Sequence, residues 1–320
     1  MGIKTYFKKL IPGPIKRTVK QLKRMKRKRD IKKNAPMITK NEIKTDFAKL
    51  GITNGDCILL HSSLKSIGYV KNGANTVLDA LIETISQKGT LVVPTYPLLG
   101  TMLKTCLNED YIFDMNKSST TIGVIPSVFL GYKNIIRSIH PTHSMSALGK
   151  NAKSITKSHH IGNETYGKNS PWAKIVELDG KILGVGISLA WHTIYHHVED
   201  IMGGEFPVKV KLNQSYRIKC KTTKGELLNV EVNPLDHIIA QTRIEKNPFI
   251  LAYFTEICEK LGIIKYGKIG EAKSWMVNAK TFCEVLIQLA KNGITIYSTE
   301  SELKKQKLFP FKEIKDKINL

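Results

Sequence analysis

Cysteine chemistry is almost missing from this 320-residue chain, whose five cysteines, Cys57, Cys106, Cys220, Cys258 and Cys283, are scattered with no CxxC pair. That excludes a dithiol redox motif or a zinc knuckle and predicts buried structural thiols in a reducing compartment. No run of about 18 apolar residues exists to span a bilayer, and the N-terminus lacks the long apolar stretch of a signal peptide. A cytoplasmic protein is expected. Signature loops are missing too. There is no GxxxxGK[ST] and no GxSxG, and the GxG at Gly184 and Gly186 meets Leu189 where a dinucleotide fingerprint needs its third glycine. Acids are scarce, 27 against 50 Lys and Arg, for a net charge of +23.

The cations are unevenly spread. Residues 1–33 hold fourteen Lys and Arg and one acid, Asp30, leaving 36 against 26 for the remainder. Ile15, Val19 and Leu22 recur at helical spacing among these cations, after Tyr6, Phe7, Leu10 and Ile11. Such a stripe suits a helix lying on an anionic membrane surface, and a solvated basic tail has the same composition. A nucleic-acid arm is not expected, because no aromatic-rich platform follows. The division is therefore a basic amphipathic segment over 1–33 and a globular domain over 34–320.

The remainder reads as α/β. "ITKNEIKTDFAKLGI" predicts a helix capped near Thr39 and stopped at Gly51. "DCILLHSS" and "GTLVVPTY" are buried-strand candidates flanking the helical "NTVLDALIETISQ". "GVIPSVFLGY" and "TIYHHVEDIM" read as helices, and "KIVELDGKILGVGIS" contains a strand ending in glycines. Pro207 to Val232 alternates like an antiparallel hairpin, with turn signals at Asn213 and Gly225. "NPFILAYFTEICEKLG", "IIKYGKIGEAKSWMVNA" and "AKTFCEVLIQLAKNG" read as helix, β segment with a glycine turn, and helix. A layered α/β fold with a largely buried sheet follows.

Chemistry concentrates in "WHTIYHHVED", Trp191 to Asp200. As a helix it places His192, His196 and Glu199 on one face at i, i+4 and i+7. A zinc-protease helix would need Glu where Thr193 stands, although His140, His143, His159 or His160 could be recruited to a metal. His196 with Glu199 at i, i+3 suits a general base whose tautomer is held by an acid, and equally a surface helix with neighbouring His and acid. "HSSLKSIG", His61 to Gly68, offers hydroxyls, a cation and backbone N–H groups after a strand. "RSIHPTHSMSALG", Arg137 to Gly149, reads as a polar surface loop.

In this order, "LLHSSLKSIGYV", "GTLVVPTY", "TTIGVIPSVF", "RSIHPTHSMSALGKNA", "TYGKNSPWAKIVELDGKILGVG", "HTIYHHVE" and "GKIGEAKSW" resemble the aminoglycoside 3-N-acetyltransferase family, from Leu59 to Trp275. The resemblance implies an α/β/α sandwich around a mixed sheet with a β-rich insertion, distinct from the GNAT fold. It implies acetyl-CoA as acyl donor; no metal is expected. By its T-x-x-H-x-x-E motif, His196 is the expected base, Glu199 its orienting acid and Thr193 a candidate oxyanion donor. His61, Ser62, Ser63, Leu64 and Lys65 are the expected acetyl-CoA contacts. His140 and Ser144, from H-P-x-x-S, and His192 are the expected acceptor contacts.

The expected chemistry is direct attack by a sugar amine, deprotonated by His196, with no acyl-enzyme. The basic charge favours an acceptor with anionic parts, a nucleotide- or lipid-linked amino sugar of cell-surface glycan assembly at the cytoplasmic face of the membrane. Alternatives are an aminoglycoside 3-N-acetyltransferase conferring antibiotic resistance, or a non-catalytic basic protein binding membrane or nucleic acid. A homodimer is compatible with any of these.

Overall fold

Thr39 opens the first described helix with a reciprocal cap. Its backbone N–H donates to Glu42 Oε2 at 2.7 Å, and its hydroxyl receives the Glu42 N–H. Gly51, at φ +100°, stops the same helix in the left-handed conformation. The computed structural model describes residues 36–305 and 311–318. The basic segment 1–33 lies outside the described residues.

In chain order the elements are α1 (Lys40–Leu50), β1 (Cys57–Ser62), α2 (Leu64–Ile67), α3 (Ala74–Ile85), β2 (Thr90–Pro94), α4 (Met102–Cys106) and β3 (Phe113–Asp114). Next come α5 (Val124–Phe129), β4 (Ile136–Arg137), β5 (Met145–Gly149), α6 (Ala152–Thr156), α7 (Pro171–Glu177), β6 (Lys181–Val185) and α8 (Ile194–Met202). The hairpin β7 (Tyr216–Lys221) and β8 (Leu227–Val232) precedes α9 (Pro248–Lys260), β9 (Ile264–Ile269), β10 (Ala272–Asn278) and α10 (Ala279–Lys291). α11 (Glu300–Lys305) and α12 (Phe311–Ile318) follow.

Seven strands form one mixed sheet in the order β4-β5-β2-β1-β6-β10-β9. At its centre β1 runs parallel to both β2 and β6, and the flanking pairs are antiparallel. Side chains alternate between two apolar faces. Leu59, Val92 and Ile182 pack with α7, α8, α9 and α10, while Ile58, Leu60, Leu91, Val93, Leu183 and Val185 pack with α1, α3 and α5. Burial on both faces explains why these strands read as continuous apolar runs. The result is the expected α/β/α sandwich, with β3, β7 and β8 as a separate three-stranded sheet around Phe113, Ile218 and Val230.

Two local expectations are corrected. The hairpin turns only at Gly225, φ +89°, and Asn213 is not a hairpin turn; residues before Tyr216 add one bridge, Lys211 to Leu235. The "RSIHPTHSM" stretch is buried wall rather than surface loop. Its Arg137 donates from Nε to Ser144 Oγ at 3.0 Å and from Nη2 to the Thr95 carbonyl at 2.7 Å. Nη1 meets the Ser118 carbonyl, and the guanidinium lies 4.9 Å from the Phe113 ring centroid. With its donors satisfied, a buried cation replaces the water such a loop would otherwise need.

All five cysteines are buried and free. Burial pushes the thiols of Cys57, Cys106, Cys220 and Cys258 up to about 12, which leaves negligible thiolate at neutral pH. Among the described residues no helix is long and apolar enough to cross a membrane.

Candidate active site

The carboxyl ends of the three parallel strands converge on one crevice, the usual place for ligands in an open α/β sheet. β1 delivers His61 and Ser62, β2 leads into Thr95 and Tyr96, and β6 leads through Gly186 to the segment before α8. Gly184 leaves room for the Trp275 indole to lie across β6, since a Cβ there would sit 2.1 Å from Trp275 Cε2. The indole N–H then donates to the Ile187 carbonyl at 2.9 Å and holds the turn that follows. The strand glycines are structural.

Two cavities meet in the crevice. One, of about 410 Å³, is lined by His61, Ser62, Pro94, Ile122, Ile187 and Trp191. The other, of about 460 Å³, is lined by His143, Tyr166, His192, His196, Arg243 and Glu245 among others. Tyr96, Trp191 and Thr193 line both. Thr193 thus stands where a group from one side would meet a group from the other.

His196 and Glu199 lie one turn apart on α8, both buried. Nδ1 of His196 is 2.8 Å from Glu199 Oε2, and Glu199 Oε1 accepts the Tyr297 hydroxyl at 2.8 Å. Nη1 of Arg243 is 3.2 Å from His196 Nε2. A carboxylate only accepts and a guanidinium only donates, so the proton resides on Nδ1 and Nε2 carries its lone pair toward the cavity. Thr193 Oγ1 accepts the Trp172 indole N–H at 2.8 Å and is 3.1 Å from the Tyr96 hydroxyl. If Tyr96 donates, the threonine proton is free to point at the junction.

His192 is not on the helix face with His196. Its backbone is extended, φ −118° and ψ 161°, and α8 starts only at Ile194. Its ring stacks on Tyr195 at 4.2 Å, and both ring nitrogens are buried without partners in the cavity wall. Burial drives its pKa well below the ordinary histidine range.

His140 and Ser144 line neither cavity. His140 stacks on His159 at 4.3 Å, and its Nδ1 accepts the His143 backbone N–H at 3.0 Å. The Ser144 hydroxyl donates to the Thr95 carbonyl at 2.9 Å. Both shape the wall behind His143, which itself packs 4.6 Å from Tyr96 inside the His196 cavity.

Of the His61 to Lys65 turn, His61 and Ser62 line the smaller cavity. Ser63 donates its backbone N–H to the Val185 carbonyl at 2.9 Å, Leu64 packs on the sheet, and Lys65 is exposed. His197 and Asp200 are structural. They hold the Tyr166 carbonyl at 2.6 Å and the Tyr166 N–H at 2.9 Å, and Asp200 also pairs with Lys211 at 2.6 Å. Among the described residues no group of three or more His, Cys, Asp or Glu is placed to hold a metal.

Sequence reasoning missed Tyr96, Trp172, Arg243, Glu245 and Tyr297. Trp172 lies inside "NSPWAK", so a signal existed there; Arg243 and Tyr297 reach the dyad from 47 and 98 residues away and carry no local pattern.

The family model for aminoglycoside 3-N-acetyltransferase matches residues 59–291. Aminoglycoside N(3)-acetyltransferase IX of Micromonospora chalcea is 25% identical over 259 residues, covering 76% of this chain and 89% of that protein. Aminoglycoside N(3)-acetyltransferase III of Serratia marcescens is 28% identical over 257 residues, covering 76% and 94%. The crystal structure of aminoglycoside acetyltransferase AAC(3)-IIb superposes with a TM-score of 0.69 at 26% identity, over 81% of this chain and 98% of that one. The AAC-IIIb binary complex with CoASH shares the fold, with a TM-score of 0.66 at 24% identity over 82% and 100%.

The class is therefore an acetyl-CoA-dependent N-acetyltransferase built on a mixed sheet that is not of the GNAT type. The chain belongs to the aminoglycoside 3-N-acetyltransferase family. This sets aside the reading as a non-catalytic basic binding protein.

Proposed function

We propose that the chain transfers an acetyl group from acetyl-CoA to an amine of an aminoglycoside, as the names of its relatives say of them. The observation that carries the reading is the His196–Glu199–Tyr297 relay opening beside Thr193, where the two cavities join. His196 Nε2 takes the proton from the acceptor nitrogen, Glu199 stabilises the imidazolium that forms, and Tyr297 holds the carboxylate. Thr193 donates a hydrogen bond from its hydroxyl to the oxygen that gains charge as the N–C bond forms. The C–S bond then breaks and CoA leaves as the thiolate. The His61 cavity, lined largely by apolar groups such as Leu60, Pro94, Ile122 and Ile187, suits a thioester arm, and the His196 cavity, of similar volume but carrying Arg243, Glu245 and Lys246, suits a sugar amine.

A second reading retains an anion-bearing acceptor, a nucleotide- or lipid-linked amino sugar. It is favoured by one observation: the charged side chains lining the His196 cavity are Arg243, Lys246 and a single acid, Glu245. The relatives' names give it no support.

An acceptor screen that follows CoA thiol release separates the two, with His196→Ala as the blank. Kanamycin- or gentamicin-type amines are expected to release thiol. Turnover confined to nucleotide-linked amino sugars replaces the first reading by the second. His196→Ala is expected to lower turnover by about 10²–10⁴-fold, the range for a positioned base, with acetyl-CoA affinity retained. Unchanged turnover removes His196 from the role.

A further inference from the structure

Nε2 of His196 has a single lone pair, and in this structure that lone pair is already used. Nη1 of Arg243 lies 3.2 Å from it, while Nη2 of the same guanidinium pairs with Glu245 Oε1 at 2.9 Å. An amine cannot hand its proton to Nε2 while a guanidinium N–H points at the same orbital. Both contacts lie inside the cavity assigned to the acceptor. The other cation of that wall, Lys246, is exposed and tied to Gln241 Oε1 at 2.5 Å, so it does not compete for the ring.

We propose that Arg243 is a displaceable cap on the base, a positioning and specificity-determining residue that every acceptor amine must move aside. In the acceptor-free enzyme the cap holds His196 in the tautomer with Nε2 unprotonated, because a donor-only group can face that nitrogen in no other state. Once His196 carries the amine's proton, imidazolium and guanidinium repel, so the cap returns only after the ring is deprotonated. Glu245 anchors the displaced group, since the Nη2 pair can persist when Nη1 leaves. Its second oxygen, Oε2, is buried without a partner in the same wall and supplies a carboxylate acceptor for the incoming ammonium. The guanidinium has somewhere to go, because the Arg243 side chain is 23% exposed whereas that of His196 is 8% exposed. The cap thus excludes amines too weakly held to displace it and admits cations that engage Glu245.

This inference rests on His196 as the base, and its test is chosen to fail separately. Diethyl pyrocarbonate acylates an unprotonated imidazole nitrogen, and the modified peptides are quantified by mass spectrometry without either substrate present. In Arg243→Met, labelling of His196 is expected to rise about fivefold, the order of one net hydrogen bond, while His143 and His192 in the same wall keep their rates. Arg243→Lys retains a cation for Glu245 but lacks the second guanidinium nitrogen, and is expected to show the same gain if the methionine variant does not fold. With a turned-over acceptor, the acceptor KM is expected to fall by a similar factor. Unchanged His196 labelling overturns the cap. A rise at all three histidines means a loosened wall and also overturns it, and a higher acceptor KM shows that Arg243 holds the acceptor instead. Faster His196 labelling in an enzyme that acetylates no amine keeps the cap and rejects the functional reading.

Discussion

His196 has a donor-only neighbour on one nitrogen and an acceptor-only neighbour on the other, so its protonation pattern follows from contact chemistry alone. Glu199 is equally constrained, with one oxygen on the imidazole and one on Tyr297. Glu199→Gln removes the charge that would stabilise an imidazolium, and kcat is expected to fall at least about 100-fold at saturating substrates. Tyr297→Phe removes one hydrogen bond to the carboxylate and should cost about tenfold in kcat, the order of a bond to a charged group. A loss for the tyrosine variant equal to that for Glu199→Gln would mean Tyr297 does more than hold the acid. Thr193→Val deletes the hydroxyl at the junction and orphans the Trp172 indole N–H. A fall of about 10²–10³ in kcat with little change in acetyl-CoA affinity is the expected outcome of steady-state kinetics. The spacing of His196 and Glu199 was legible because a helix turn brings i and i+3 together. Tyr297 was not, because its contact depends on how the chain after α10 returns over α8.

At the scale of elements, the apolar runs, Thr39, Gly51 and the glycine turns were readable because they act on the backbone within a few residues. The failures have local causes as well. Thr193 occupies the cap position of α8 but makes no capping hydrogen bond, its hydroxyl being engaged by Trp172 and Tyr96. The helix starts at Ile194, after the extended His192, and the expected histidine face is broken. A cap residue diverted from its local task shows tertiary contacts outweighing local preference. β6 shows a second such compromise, with Gly184 kept small for the Trp275 ring. Gly184→Val is expected to destabilise the fold by about 1–3 kcal/mol, as overpacking of a close-packed core does. A denaturant midpoint unchanged from the parent would show that the indole can move aside.

Across the whole molecule, His140, His143, His159, His192 and His197 are all buried. Burial lowers the pKa of each, that of His159 to about 3. The unfolded chain binds their protons near pH 6.5 and the folded chain does not, so stability rises with pH through the window below about 6.5. Each such histidine contributes up to about 1.4 kcal/mol per pH unit within that window. The melting temperature is expected to be flat above pH 7 and to fall steeply from pH 6.5 toward 5. A flat profile down to pH 5 would mean these rings are protonated in the fold. The histidine-rich stretch 137–149 shows the same burial: its polar letters suggest a surface, whereas Arg137 and the backbone satisfy it internally.

The order of elements, the two-faced burial of the central strands and the pairing of His196 with Glu199 were determined by the sequence itself. Each depends on residues a few positions apart, where period and propensity act directly. The two-cavity junction at Thr193, the Tyr297 support and the Arg243 contact were decided only by tertiary structure. They join residues tens of positions apart, and their energies come from burial and hydrogen-bond geometry that exist once the sheet and its covering helices have packed.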